Sequence, residues 1–180
     1  MVIYLFDIFS RHEKLKSKAL DTLLEFSTYC KDQFNSEVVT AMHSFMTQNY
    51  ATLSLAHAQK LIEALSLVTS AIDKANFASN LQSVSQLPLQ SLTQANEQSN
   101  REDILKALSL MASSTKAVDH CSAAELKPVL IPLFQLTWPS ICQVLTSRAN
   151  DVQLVEASCE YLIKLARALK HELSEHFVVI

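Results

Sequence analysis

The sequence predicts an all-α fold, an α-solenoid of antiparallel helix pairs in about four repeats that fills residues 1–180 as a single segment. Three observations carry this. Glycine is absent from all 180 residues, where average usage of roughly 7% would supply about a dozen. Apolar residues recur at alternating three- and four-residue steps through most of the chain. The starts of alternate helical segments, near Glu13, Leu55, Asn100 and Asp151, recur at roughly 40 to 50 residues, the period of HEAT-type (armadillo-like) helical hairpins.

Composition narrows the function as well as the fold. Without glycine, positive φ is costly, which disfavours phosphate-cradling loops, Rossmann turns and type I′ hairpins, and with them most nucleotide-binding sheet enzymes. A chain that is 49% hydrophobic and 18% charged buries a sizeable core and is not disordered. Its net charge of −3 gives no electrostatic footprint for nucleic acid or an anionic membrane. Lys14, Lys16 and Lys18 alternate round a helix end and read as a solvated face. Cys30, Cys121, Cys142 and Cys159 have no CxxC spacing, and three fall in apolar helical patterns, so they read as buried, reduced thiols of an intracellular protein.

The elements follow in order. Met1 to Phe9 is apolar except for Asp7; it is too short to span a membrane, lacks a signal peptide's basic region, and reads as the tail of a helix. His12 to Lys31 is a helix with Ala19, Leu23, Phe26 and Cys30 on one face, widened by Leu20 and Leu24. Asn35 or Ser36 caps the next, which carries Val38, Met42, Phe45 and Met46. After a polar break around Gln48 to Ser54, Leu55, Ala58, Ile62, Leu65 and Ile72 mark a buried helix, with Leu61 and Val68 beside them.

The segment from about Asn76 to Gln98 has two faces. Phe77, Leu81, Val84, Pro88 and Ala95 form an apolar one, and Gln82, Gln86, Gln90 and Gln94 form a neutral polar ridge at four-residue spacing. Pro88 is expected to kink or split this helix. Asn100 caps a helix with Asp103 at N3 and Ile104, Leu108, Met111, Thr115 and Val118 on its stripe. Lys127 to Ser147 is punctuated by prolines, with Pro128 in its first turn and Pro132 and Pro139 inside or between segments. The last helix, capped by Asn150 with Gln153 at the capping-box position, places Val152, Val155, Cys159, Leu162, Ala166 and Leu169 on one stripe. His171 to Ile180 opens a further element. Both ends are apolar, as expected of an interior piece of a longer array.

Catalytic groupings fail on spacing. His12-Glu13-Lys14-Leu15-Lys16 lacks the second histidine of a zinc-protease helix. In Asp119-His120-Cys121, neighbours on a helix end point in different directions. Glu37, Glu63 and Asp73 are isolated, and His43 and His57 read as packed or solvated. No enzyme activity, cofactor or metal is expected. The candidate functional surface is the ridge Gln82, Gln86, Gln90 and Gln94, either as a plain solvated face or as the lining of a concave groove that holds an extended partner. Trp138, among Phe134, Leu136 and Ile141, reads as core.

From Trp138 onward the order of features resembles the importin-β superfamily of nuclear transport receptors (karyopherins), in its transportin-SR and importin-thirteen branch. The similar positions are Trp138-Pro139, the apolar half-helix Ile141 to Leu145, the polar turn Ser147 to Asp151, and then Val152, Val155, Cys159, Leu162 and Leu165. Thr28 to Phe34 is similar, at shorter spacing, to a helix end of that family, and Leu55 to Ile72 followed by Lys74 to Leu92 to its paired helices. The resemblance implies protein import into the nucleus, with protein cargo and nucleoporin phenylalanine-glycine repeats as partners. It also implies shuttling between nucleus and cytoplasm, and contact with the Ran GTPase through repeats outside this segment. No functional residue of the family is carried over.

Overall fold

The computed structural model describes residues 1–72, 77–115 and 123–169. Among these the fold is all-α, with no strand and eight α-helices: α1 (Val2–Arg11), α2 (Lys16–Tyr29), α3 (Ser36–Asn49), α4 (Leu55–Ile72), α5 (Phe77–Gln98), α6 (Arg101–Ser114), α7 (Ala123–Ser147) and α8 (Val152–Leu169). Short 3-10 turns at Glu13–Leu15 and Lys31–Gln33 flank α2, so the helix predicted over His12 to Lys31 is shorter at both ends. The chain divides into two compact units, Met1–Val84 and Ser85–Ile180, and the division falls inside α5.

In the first unit α4 is central, packing against both α2 and α3. Its sequence explains this: Leu61, Ile62, Ala64, Leu65, Leu67 and Val68 are apolar round most of the circumference, and all are buried. From α2 come Ala19, Leu20 and Leu23, and from α3 Met42 and Met46. Phe26 and Cys30 are only half-buried, and Ser27 takes the buried place that the periodicity gives to them. Phe6 of α1 stacks on Phe45 of α3 at a centroid separation of 4.0 Å, and Phe9 meets Phe45 edge-on at 5.5 Å. Asn35 caps α3 as predicted, its side-chain oxygen accepting from the Val38 N–H at 3.1 Å.

In the second unit α8 packs against α6 and α7. Its buried residues are Leu154, Ala157, Ser158, Tyr161 and Leu165. The predicted stripe is therefore displaced: Val152, Cys159 and Ala166 are exposed, Val155 and Leu162 are half-buried, and the Leu169 side chain lies outside the described residues. Apolar residues surround α8, so two stripes satisfy the same period. Packing of Tyr161, the bulkiest fully buried side chain among the described residues, selects the other one. The cap moves with it, from Asn150 to Asp151, whose Oδ1 accepts from the Leu154 N–H at 3.3 Å.

Four prolines fall inside helices, and neither helix breaks. α7 runs unbroken from Ala123 to Ser147 through Pro128, Pro132 and Pro139, so Pro128 lies beyond the first turn and none of the three ends a segment. All three are exposed. A proline at i orphans the carbonyl at i−4 on its own face, and on an exposed face water satisfies that carbonyl. Pro88 is buried within an equally continuous α5. The carbonyl it deprives of an N–H partner belongs to Val84, the last residue of the first unit.

Candidate functional site

The glutamine ridge is exposed as its spacing requires. Gln82, Gln86, Gln90 and Gln94 all face solvent on α5, while Leu81, Val84, Pro88, Leu92 and Ala95 are buried on the rest of the helix. The Phe77 side chain is outside the described residues. None of the four carboxamides is engaged in a hydrogen bond among the described residues, so each offers an acceptor oxygen and two N–H donors to an incoming group. The ridge is uncharged along its length.

A second polar cluster lies where α5 turns into α6 and α7 into α8. Ser99 follows α5 with φ at 57°, the one positive φ among the described residues. The Asn100 N–H donates to the Ala95 carbonyl at 3.0 Å, closing the helix end in the manner that usually employs glycine. Asn100 then caps α6, accepting from the Asp103 N–H at 3.4 Å and donating to the Asp103 carboxylate at 2.6 Å. Arg101 donates to Asp151 and, at 2.7 Å, to the Gln153 side-chain oxygen. Arg148 donates to the Ser99 carbonyl at 3.3 Å. The Asp151 carboxyl is held below the usual carboxylate range by the hydrogen bond from Arg101, and the guanidinium is correspondingly raised. With Arg101 paired to Asp151 and Arg148 held on the Ser99 carbonyl, this cluster braces turns. The capping-box expectation for Gln153 gives way to its bond with Arg101.

The remaining chemistry-bearing residues do not converge. Glu13 pairs with Lys16 at 2.6 Å, His12 and Glu37 are exposed, and Glu63 is half-buried. His57 packs edge-on against Phe9 at 5.5 Å, and the Lys16 ammonium lies 5.4 Å from the same Phe9 ring. Lys14 and Lys18 are exposed. Asp73 and Asp119 to Cys121 lie outside the described residues. Among the described residues no three His, Cys, Asp or Glu side chains gather as a metal site, and no helix is long and apolar enough to cross a membrane.

Two sequence readings change at the surface. Trp138 is half-buried, its ring 5.3 Å from that of Phe134, and its neighbour Leu136 is exposed, so it borders the core instead of filling it. Cys30 and Cys142 are half-buried free thiols and Cys159 is exposed, which corrects the buried assignment; burial still pushes the Cys142 thiol up. His43 lies at a cleft that helical periodicity does not signal, because its partners come from α4 and α5. No family model, curated protein or solved structure compared with this chain matches it.

Proposed function

We propose that the chain is a HEAT-type helical-repeat segment that binds an extended stretch of another protein along the glutamine face of α5. The observation that carries this reading is the exposed, unengaged row of carboxamides at Gln82, Gln86, Gln90 and Gln94. Four residues of helix advance about 6 Å. Two residues of an extended peptide advance about 6.5 Å. One glutamine thus meets every second peptide unit, with donor and acceptor groups that match a backbone and impose no charge requirement. The pairing of helices supports the repeat architecture: α2 packs on α4 in the first unit and α6 on α8 in the second, each two elements apart in the chain.

Within this class we assign the chain, on its resemblance to the importin-β superfamily, to nuclear import, with protein cargo and nucleoporin repeats as partners and Ran engaged by repeats outside the segment. The alternative is a HEAT scaffold subunit of the phosphatase-regulatory or vesicle-coat kind. A specific observation favours that alternative: Val152 and Cys159, two residues that carry the resemblance, are exposed on α8 instead of forming its inner stripe.

Two experiments test these levels separately. Purified chain is passed over an immobilised phenylalanine-glycine repeat peptide; retention supports import, and no retention of a chain with intact helical circular dichroism overturns it in favour of the scaffold. Extended peptides selected by display against the wild-type chain are then tested on the variant with all four glutamines changed to alanine. Affinity lower by about tenfold or more is expected from the loss of several hydrogen bonds. Equal binding to the variant removes the glutamine face from the function.

A further inference from the structure

A cleft of about 250 Å³ in the first unit is lined by Val39, Thr40, His43 and Ser44 of α3, Leu65 and Thr69 of α4, and Asn80, Ser83 and Val84 of α5. Its apolar walls are Val39, Leu65 and Val84, and the last two are buried. The other lining groups are hydroxyls, one carboxamide and one imidazole, and no lining residue is an acid, lysine or arginine. His43 Nε2 and Ser83 Oγ stand 3.5 Å apart, at the outer limit of a hydrogen bond, so neither group is saturated by the other. Thr69 is 1% exposed, and its hydroxyl has no hydrogen-bond partner. A buried hydroxyl left unpaired is destabilising, and in a helix it ordinarily bonds the carbonyl one turn back, as Ser66 does to Ile62 at 2.8 Å in this same helix.

We propose that this cleft binds a primary carboxamide on a short aliphatic stem, either a free small amide or the side chain of a peptide glutamine or asparagine. This proposal is independent of the glutamine face. The argument runs from charge and from hydrogen-bond capacity. An ion seated here would find no counter-charge among the lining residues, and an uncharged group needs none. The Ser83 hydroxyl, the Asn80 amide and the His43 imidazole each donate or accept, so they complement a group that does both. A carboxamide is the compact group with that character: its oxygen accepts from a hydroxyl while its N–H groups donate to the free imidazole nitrogen or the Asn80 oxygen. Val39, Leu65 and Val84 cover the methylene stem. The volume lies just below the usual range for drug-sized ligands, which fits a side chain or a fragment.

The test is titration of the purified chain with propionamide, with its charged analogues propionate and propylammonium, and with N-acetylglutamine methylamide. The readout is the His43 ring resonances. Propionamide should shift them saturably in the millimolar range, as expected for so small a fragment, and the charged analogues should not. Tighter binding of the glutamine derivative than of propionamide identifies a peptide side chain as the source, and the reverse identifies a free amide. Asn80→Ala and Ser83→Ala, which remove lining polar groups that a ligand can reach, should each weaken binding by about threefold to tenfold. The proposal is overturned if propionamide moves no His43 resonance, if the charged analogues bind as well, or if both variants bind like wild type.

Discussion

Arg101 and Asp151, separated by 50 residues, are joined by a two-pronged ion pair, with Nε 2.5 Å from Oδ2 and Nη2 3.0 Å from Oδ1. Arg101 is the first residue of α6 and Asp151 the cap of α8, so the pair fastens two helix starts side by side. At the far ends, the Lys164 ammonium of α8 donates to the Ala112 carbonyl near the end of α6 at 3.3 Å. The two helices therefore run parallel. The first unit repeats the device: Lys60, in the second turn of α4, meets Asp21 in α2 at 2.5 Å and donates to Ser17 at 3.0 Å. In each unit, then, a charged side chain links two alternate helices, α2 to α4 and α6 to α8.

The Arg101 pair makes stability depend on acid in a defined direction. Asp151 titrates lower in the folded chain than in the unfolded one. Its contribution is fully present above about pH 4 and fades as the pH falls through the lowered folded value. Asp151→Asn keeps a capping side chain and removes the charge. Denaturant melts at neutral pH and near pH 3 should show a smaller acid loss in the variant than in wild type. Equal losses would mean that the pair adds no pH-linked stability.

Ser99 holds the left-handed conformation without the residue best suited to it. For an L-residue that conformation costs roughly 1–2 kcal/mol, and glycine's extra unfolded-state entropy cancels part of the gain from replacing it. Ser99→Gly is expected to stabilise the chain by about 0.5–1 kcal/mol. The measurement is the urea midpoint with an unchanged slope. A lower midpoint would show that the serine is needed for more than backbone geometry.

Large truncations should separate the two stripes of α8. Tyr161 is fully buried, with its hydroxyl 3.4 Å from that of Thr137, and burial pushes its ionisation upward. Tyr161→Ala and Leu154→Ala should each destabilise by about 2–5 kcal/mol. Val152→Ala, at 66% exposure, should change stability by less than about 0.5 kcal/mol. Trp138→Ala should cost less than the roughly 3–5 kcal/mol of a fully buried aromatic. Thermal melts ranking Val152→Ala with Tyr161→Ala would restore the stripe read from the sequence.

The same contrast marks what the sequence discloses. Helix identity and capping at Asn35 and Asn100 are local properties, written in three- and four-residue spacings and in short side chains at helix starts, and they were legible. The exposure of Gln82, Gln86, Gln90 and Gln94 was legible for the same reason. Which stripe of an apolar helix is buried is decided by its neighbours, so the period alone does not separate Val152 and Cys159, which are exposed, from Leu154 and Tyr161, which are buried. The Arg101–Asp151 clamp and the cleft at His43, Thr69 and Ser83 unite residues from separate helices, and no periodicity within one helix encodes them. The sequence leaves open whether Pro88, Pro132 and Pro139 lie inside helices or divide them; they lie inside, and for the exposed Pro132 and Pro139 the orphaned carbonyl falls on a face that water can reach.

Cysteine reactivity should follow exposure. Cys159 is exposed, whereas Cys142 is half-buried with its thiol raised by burial, which lowers the reactive thiolate fraction. Under native conditions a maleimide should label Cys159 well before Cys142, as read by mass spectrometry of proteolytic fragments. Cys142 labelled first would place that thiol in a far more open setting than α7 provides.

Pro139 tests the account of the unbroken α7. It is exposed, and within the helix it leaves the Gln135 carbonyl without an N–H partner on a face that Gln135 also exposes. It further constrains Trp138, since a residue before proline is pushed away from helical dihedrals. If water alone compensates, Pro139→Ala restores the missing bond, relieves that constraint and removes no buried surface. Interior prolines cost helices up to about 3 kcal/mol, so a gain of about 1–3 kcal/mol is expected in denaturant melts. A loss instead would mean that Pro139 helps to seat Phe134 and Ile141 in the core, and that the proline is retained for packing despite its hydrogen-bond cost.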